Sequence, residues 1–103
     1  MIHTYSDRCA VYDKALSKWG LRNQFLVAIE EMSEVQKAIT KLTRTFDKQH
    51  TSKEALECFN NLIEEIADAT IMLEQLRYVL SIDEEVDEMM DKKILRLKGR
   101  LGE

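Results

Sequence analysis

Proline is absent from the 103-residue chain, and glycine occurs only three times, at Gly20, Gly99 and Gly102. Sheets joined by tight turns need more of both, so a β-rich fold is excluded and a few long helices are expected. No apolar run approaches the about 20 residues needed to cross a bilayer, and the N-terminus lacks a signal-peptide pattern. The expectation is a cytoplasmic protein with no membrane partner. The two cysteines, Cys9 and Cys58, have no metal-type spacing and read as reduced thiols on helices. A glycine-rich phosphate loop, a nucleophile elbow and a Cys/His zinc pattern are all missing. Basic excess is missing too. Fifteen Lys and Arg against 19 Asp and Glu leave a net charge of −4 at pH 7, which argues against a nucleic-acid partner.

What is present suits one folded domain spanning the chain. Hydrophobic residues make up 45% of it, enough for a single modest core at this length. Thr4 with Asp7 resembles a capping box and opens a helix over 4–18, whose apolar stripe is Cys9, Tyr12, Ala15, Leu16 and Trp19. Gly20 supplies a stop, where a left-handed residue is wanted. Trp19 beside it is either a core anchor or a face for stacking a nucleobase. A second helix over 22–45 follows, with Lys37, Lys41 and Arg44 on its solvated side. The segment 46–51 is the one loop of any length, and His50 in it reads as a surface residue. Thr51 with Glu54 caps a third helix that runs to about residue 80, and Ser81 with Glu84 repeats the motif for a fourth over 81–98. The architecture expected is an all-α antiparallel bundle of four principal helices.

The second and third helices carry the chemistry. Glu31 and Glu34 are three residues apart, as are Glu65 and Asp68, so each pair shares a helix face. At about 100° per residue, Glu31 falls inside the apolar stripe of Val27, Ala28, Val35, Ala38, Ile39 and Leu42, with Glu34 on its border. Glu65 falls likewise within the stripe of Leu62, Ile66, Ala69, Leu73, Leu76 and Leu80, with Asp68 at its margin beside Met72. Glu30 and Glu64 point outward. Acidic pairs of this spacing are common on solvated faces, and 33% of this chain is charged. Two pairs displaced onto apolar faces are a different matter. An inward carboxylate must be protonated or meet a cation, and four are too many to share protons among themselves. A divalent metal cluster is the simplest physical account.

Three more polar residues lie near apolar faces. Gln24, two turns before Glu31, either hydrogen-bonds in the core or reaches a substrate. Lys93 sits in the fourth helix's stripe of Val86, Met90, Ile94, Leu97 and Leu101, with Arg100 two turns on. Either Lys93 snorkels at an edge, or it reaches the acids or a phosphate held there.

Trp19-Gly20, Gln24, Glu30-Glu31-x-x-Glu34, Glu64-Glu65-x-x-Asp68, Lys93 and Arg100 together resemble the MazG-like, all-α NTP pyrophosphohydrolases. The match covers 19–101. It implies hydrolysis of a nucleoside triphosphate to the monophosphate and pyrophosphate with Mg²⁺, for which Mn²⁺ is a possible substitute. It implies that Glu31, Glu34, Glu65 and Asp68 are the metal ligands and catalytic carboxylates. Lys93 would contact phosphate, Gln24 would lie near the nucleotide, and Trp19 and Arg100 would complete the substrate site. It also implies a bundle completed as a homodimer or homotetramer. Phosphoribosyl-ATP pyrophosphatases and dimeric dUTPases share the acidic motifs, so the base is left open.

The residues support parts of this independently. Carboxylate oxygens are hard donors suited to Mg²⁺, which keeps several waters and binds substrate phosphates. Leu56, Phe59 and Ile63 widen the third helix's apolar arc beyond one neighbour's reach, as a homodimer would need. Two other classes compete. A carboxylate-bridged di-iron bundle wants Glu-x-x-His motifs, which His3 and His50 do not make. A non-catalytic helical dimerisation or adaptor module would leave the acids as structural or surface groups.

Overall fold

A computed structural model describes residues 3–47 and 50–103, so residues 48 and 49 of the loop expected over 46–51 lie outside the described part. All regular structure in it is helical: α1 over Tyr5–Arg44, α2 over Ser52–Val79 and α3 over Asp83–Arg100. None is long and apolar enough to cross a membrane.

Two starts follow their capping chemistry. Thr4 Oγ1 accepts from the Asp7 backbone N–H at 3.1 Å while Asp7 Oδ2 accepts from Thr4 N–H at 3.0 Å. Thr51 and Glu54 repeat the exchange at 3.1 and 3.3 Å. Each satisfies two backbone donors that a helix start otherwise leaves without partners. The third start is different. Ser81 adopts positive φ (56°), the N-cap falls on Ile82, and no side chain caps α3. The expected Ser81–Glu84 box is not formed. Three acids in the first turn, Asp83, Glu84 and Glu85, complement the helix dipole instead. Arg77 at the end of α2 holds the start of α3, with Nε 2.7 Å from Asp83 Oδ1 and Nη2 2.6 Å from Asp87 Oδ1.

The expected four-helix bundle is a three-helix chain. What reads as two helices either side of Gly20 is one 40-residue element kinked there. Gly20 takes φ 81° and ψ 161°, a region essentially restricted to glycine rather than the left-handed helical stop expected. Beyond the kink, α1 runs antiparallel to α2: buried Gln24 meets Gln75, and Glu31 meets Glu65 and Asp68. Before it, the 5–19 segment lies across the end of α2. Glu74 accepts from Arg8 Nε at 2.6 Å, Arg8 Nη2 at 3.0 Å and the Tyr12 hydroxyl at 2.6 Å. The Tyr78 hydroxyl is 3.0 Å from both oxygens of Asp13. The Arg8 hydrogen bond is the main reason the Glu74 carboxyl sits below its ordinary pKa. Burial first, then Glu74, pushes the Tyr12 phenol up to about 12.

Burial is sparse. The buried apolar residues are Cys9, Tyr12, Ala28, Ala38, Ala69 and Met72, mostly small, and α3 contributes none. Several expectations about core residues are corrected here. Ile39 of the second expected helix's stripe and Ile66, Leu73 and Leu80 of the third's are exposed, because α1 and α2 cover only part of each other's apolar arc. Trp19 is 54% exposed, because it immediately precedes the Gly20 kink and turns outward with Lys18 Nζ 5.4 Å from its ring centre. Met90, Ile94, Leu97 and Leu101 of α3 are all exposed, because α3 packs only on α2 and near its start. The radius of gyration, 17.2 Å, exceeds the about 13 Å of a compact chain this long.

The kink makes a simple prediction. Nothing lies within 4 Å of a Cβ built on Gly20, so Gly20→Ala meets no steric clash and its cost is in the backbone. Urea denaturation is expected to show a loss of about 1–3 kcal/mol. Unchanged or greater stability would mean that α1 straightens without penalty.

Candidate metal centre

Small side chains set the distance between the two long helices. Ala28 and Ala38 on α1 and Ala69 on α2 are buried at their contact, and small contact residues allow close axes. Close axes bring opposing side chains together. Glu65 and Asp68, one turn apart on α2, present carboxylates to the face that Glu31 enters from α1. One ligand oxygen from each of Glu31, Glu65 and Asp68 lies within 4.8 Å of the others.

Glu31 and Glu65 are half-buried and Asp68 is exposed, so the group is reached from solvent at Asp68. Desolvation is the main cause that raises the Glu31 pKa, followed by the charges of Asp68, Glu65, Glu34 and Glu30. Every one of those charges is negative. The group therefore has strong reason to take up a cation, and its donors are hard carboxylate oxygens of the kind that suit Mg²⁺ or Mn²⁺. The exposure of Asp68 leaves such an ion open to solvent, whose waters would complete its shell. The donor set fits the ion that the sequence motifs imply.

Of the four carboxylates expected as ligands, the structure brings three together. Glu34 stands outside the trio, exposed, with Oε1 3.3 Å from Lys37 Nζ. It borders the apolar arc, so its side chain leaves the α2-facing side while its charge still acts on Glu31. Glu30 and Glu64 are exposed, as their outward direction required.

The expected substrate residues are scattered. Gln24 is buried, and its Oε1 accepts from Gln75 Nε2. Seven residues separate Gln24 from Glu31 and Asp68 from Gln75, so the amide pair lies about 10 Å along the helices from the acids. The amide is engaged in the core rather than turned to a substrate. Gln75 was the missed half of this pair, and its mirrored spacing was the available signal. Lys93 and Arg100 are exposed on α3, and among the described residues neither forms an ion pair with the trio. Trp19 lies at the kink, twelve residues before Glu31. The Arg8–Glu74–Tyr12 contact was also missed, because no short-range spacing connects residues 66 apart.

The raised Glu31 pKa has a definite sign. A carboxyl whose folded pKa lies above its unfolded value stabilises the fold when protonated, and that contribution disappears as pH rises through the folded pKa. At pH 7 without metal, Glu31 therefore weakens the fold. Glu31→Gln is expected to raise the metal-free Tm by a few degrees at most and to reduce the stabilisation that Mg²⁺ gives the native chain. Differential scanning calorimetry with and without Mg²⁺ checks both. A variant of lower metal-free Tm that keeps the full Mg²⁺ response would show that Glu31 neither strains the fold nor holds the ion. No family model, curated protein or solved structure matches this chain.

Proposed function

We propose that the chain is a Mg²⁺-dependent nucleoside triphosphate pyrophosphohydrolase, converting NTP and water to NMP and pyrophosphate. The observation that carries this reading is the meeting of Glu31, Glu65 and Asp68, from two helices, within 4.8 Å. A triphosphate brings several negative charges to a chain of net charge −4, so it has no route to three carboxylates unless a cation lies between. The geometry supports a cation site, through which an anionic substrate could be held. The nucleotide and the pyrophosphate-releasing cleavage rest on the resemblance in the acidic motifs.

Glu65 and Asp68, one turn apart on a rigid helix, would hold the ion from α2, and Glu31 would hold it from α1. An ion held by these three carboxylates would supply charge neutralisation for phosphate and a more acidic bound water. Glu34, one turn from Glu31 and outside the trio, is the carboxylate left to take the proton from the attacking water. Lys37, 3.3 Å from Glu34, holds that side chain at the site's rim and offers positive charge to the departing pyrophosphate.

A non-catalytic helical interaction module is the competing reading, and the large exposed apolar surface favours it. Turnover separates the two. Pyrophosphate release from a panel of ribo- and deoxyribonucleoside triphosphates is expected with Mg²⁺ and not with chelator. Glu65→Gln should lower the rate by about 100-fold or more. Full activity in Glu65→Gln would remove the trio from the mechanism. No turnover on any triphosphate would favour the interaction module.

A further inference from the structure

The corner where α3 leaves α2 is a cleft of about 670 Å³. Leu73, Leu76 and Leu80 line it from α2, Val86 and Met90 from α3, and Tyr5 from the start of α1. On α3 the apolar wall continues outward from Met90 through Ile94, Leu97 and Leu101, which are between 49% and 68% exposed. These share the helix face of Val86 and Met90, so the wall is about 22 Å long. On α2 it continues to Ile66, 48% exposed and two turns before Leu73.

Charges at the inner end of the cleft are already satisfied. Arg77 is held by Asp83 and Asp87, and Glu74 by Arg8 and Tyr12. The outer end differs. From Lys92 to Arg100 every charged residue is a cation. Lys93, Arg96 and Arg100 follow spacings of three and four, so they form one edge of the apolar stripe, and no acid shares that edge. Asp91 and Lys98 lie on the other edge. Among the described residues, none of Lys93, Arg96 and Arg100 forms an ion pair.

We propose that the α2–α3 cleft docks an amphipathic helix of a partner protein, apolar on one face and acidic along one edge. Two apolar walls meeting in a corner receive the apolar face of such a helix. The Lys93–Arg96–Arg100 edge selects its charge, because three cations without ion pairs complement acids at the same spacing and repel bases. A flat bilayer does not enter a corner walled on two sides, and a small anion leaves both apolar walls uncovered.

Two synthetic helical peptides test this on the full chain. Both carry Leu along one face; one carries Glu along an edge and the other Lys in its place. Fluorescence anisotropy is expected to show saturable binding of the Glu peptide, with the Lys peptide at least about tenfold weaker. Lys93→Glu/Arg96→Glu, at two exposed positions, should reverse that order. Hydroxyl-radical footprinting with the Glu peptide should newly protect Ile94 and Leu97 and leave the reactivity of Phe25 and Ile29 on α1 unchanged. Equal affinity for the two peptides overturns the proposal, as does new protection on α1 in place of α3. So does protection of Ile94 and Leu97 before any peptide is added, since α3 then pairs with a second copy. Binding to phosphatidylglycerol vesicles and to neither peptide also overturns it, because the basic edge then meets lipid. None of these readings involves a metal ion or a triphosphate, so the proposed activity stands or falls separately.

Discussion

The close approach of α1 and α2 is the constraint on which the other features depend. Ala28, Ala38 and Ala69 leave the two backbones little to hold them apart, and antiparallel packing then makes Glu31 meet Glu65 and Asp68. The same register pairs Gln24 with Gln75 two turns away. Both meetings place polar groups where apolar ones would pack more cheaply. The amides satisfy each other; the carboxylates do not. Glu31 and Glu65 are half-withdrawn from water beside exposed Asp68, and desolvation together with the neighbouring acids raises the Glu31 pKa.

A meeting of like charges needs rigid support, and the chain supplies it at one end. The 5–19 segment turns at Gly20 and is held across α2 by Arg8, Tyr12 and Asp13, which meet Glu74 and Tyr78. These contacts are partly exposed, so each one alone adds modestly to stability. Together they fix the direction in which α1 enters the acidic register. The opposite side of the helix pair is apolar and bare. One side of the α1–α2 pair gathers carboxylates, and the other exposes Phe25, Ile29, Phe59 and Ile63.

Much of this was legible in the residues. Thr4–Asp7 and Thr51–Glu54 mark their helix starts because capping is a local exchange of hydrogen bonds. Glu31 and Glu65 were found because a carboxylate inside an apolar arc is an anomaly visible by spacing alone. Local rules failed where the outcome was set elsewhere. Ser81 has the right motif, but the turn takes it into positive φ and moves the cap to Ile82. Glu34 lies on the border of its arc, where a small rotation decides whether it joins the trio or Lys37. The stripe of α3 shows that a face is apolar and says nothing of what covers it, so Lys93 could not be placed by pattern. Gly20 announced a break, yet its backbone joins two segments into one kinked element instead of ending a helix.

The central claim is that Glu31, Glu65 and Asp68 together hold a divalent cation. Electron paramagnetic resonance of Mn²⁺ titrated into the chain tests it without reference to any substrate. The account predicts saturable binding of about one ion per chain or more, displaced by excess Mg²⁺ and abolished in Asp68→Asn/Glu65→Gln. Mn²⁺ bound equally by the variant, or not bound at all at millimolar concentration, would contradict it.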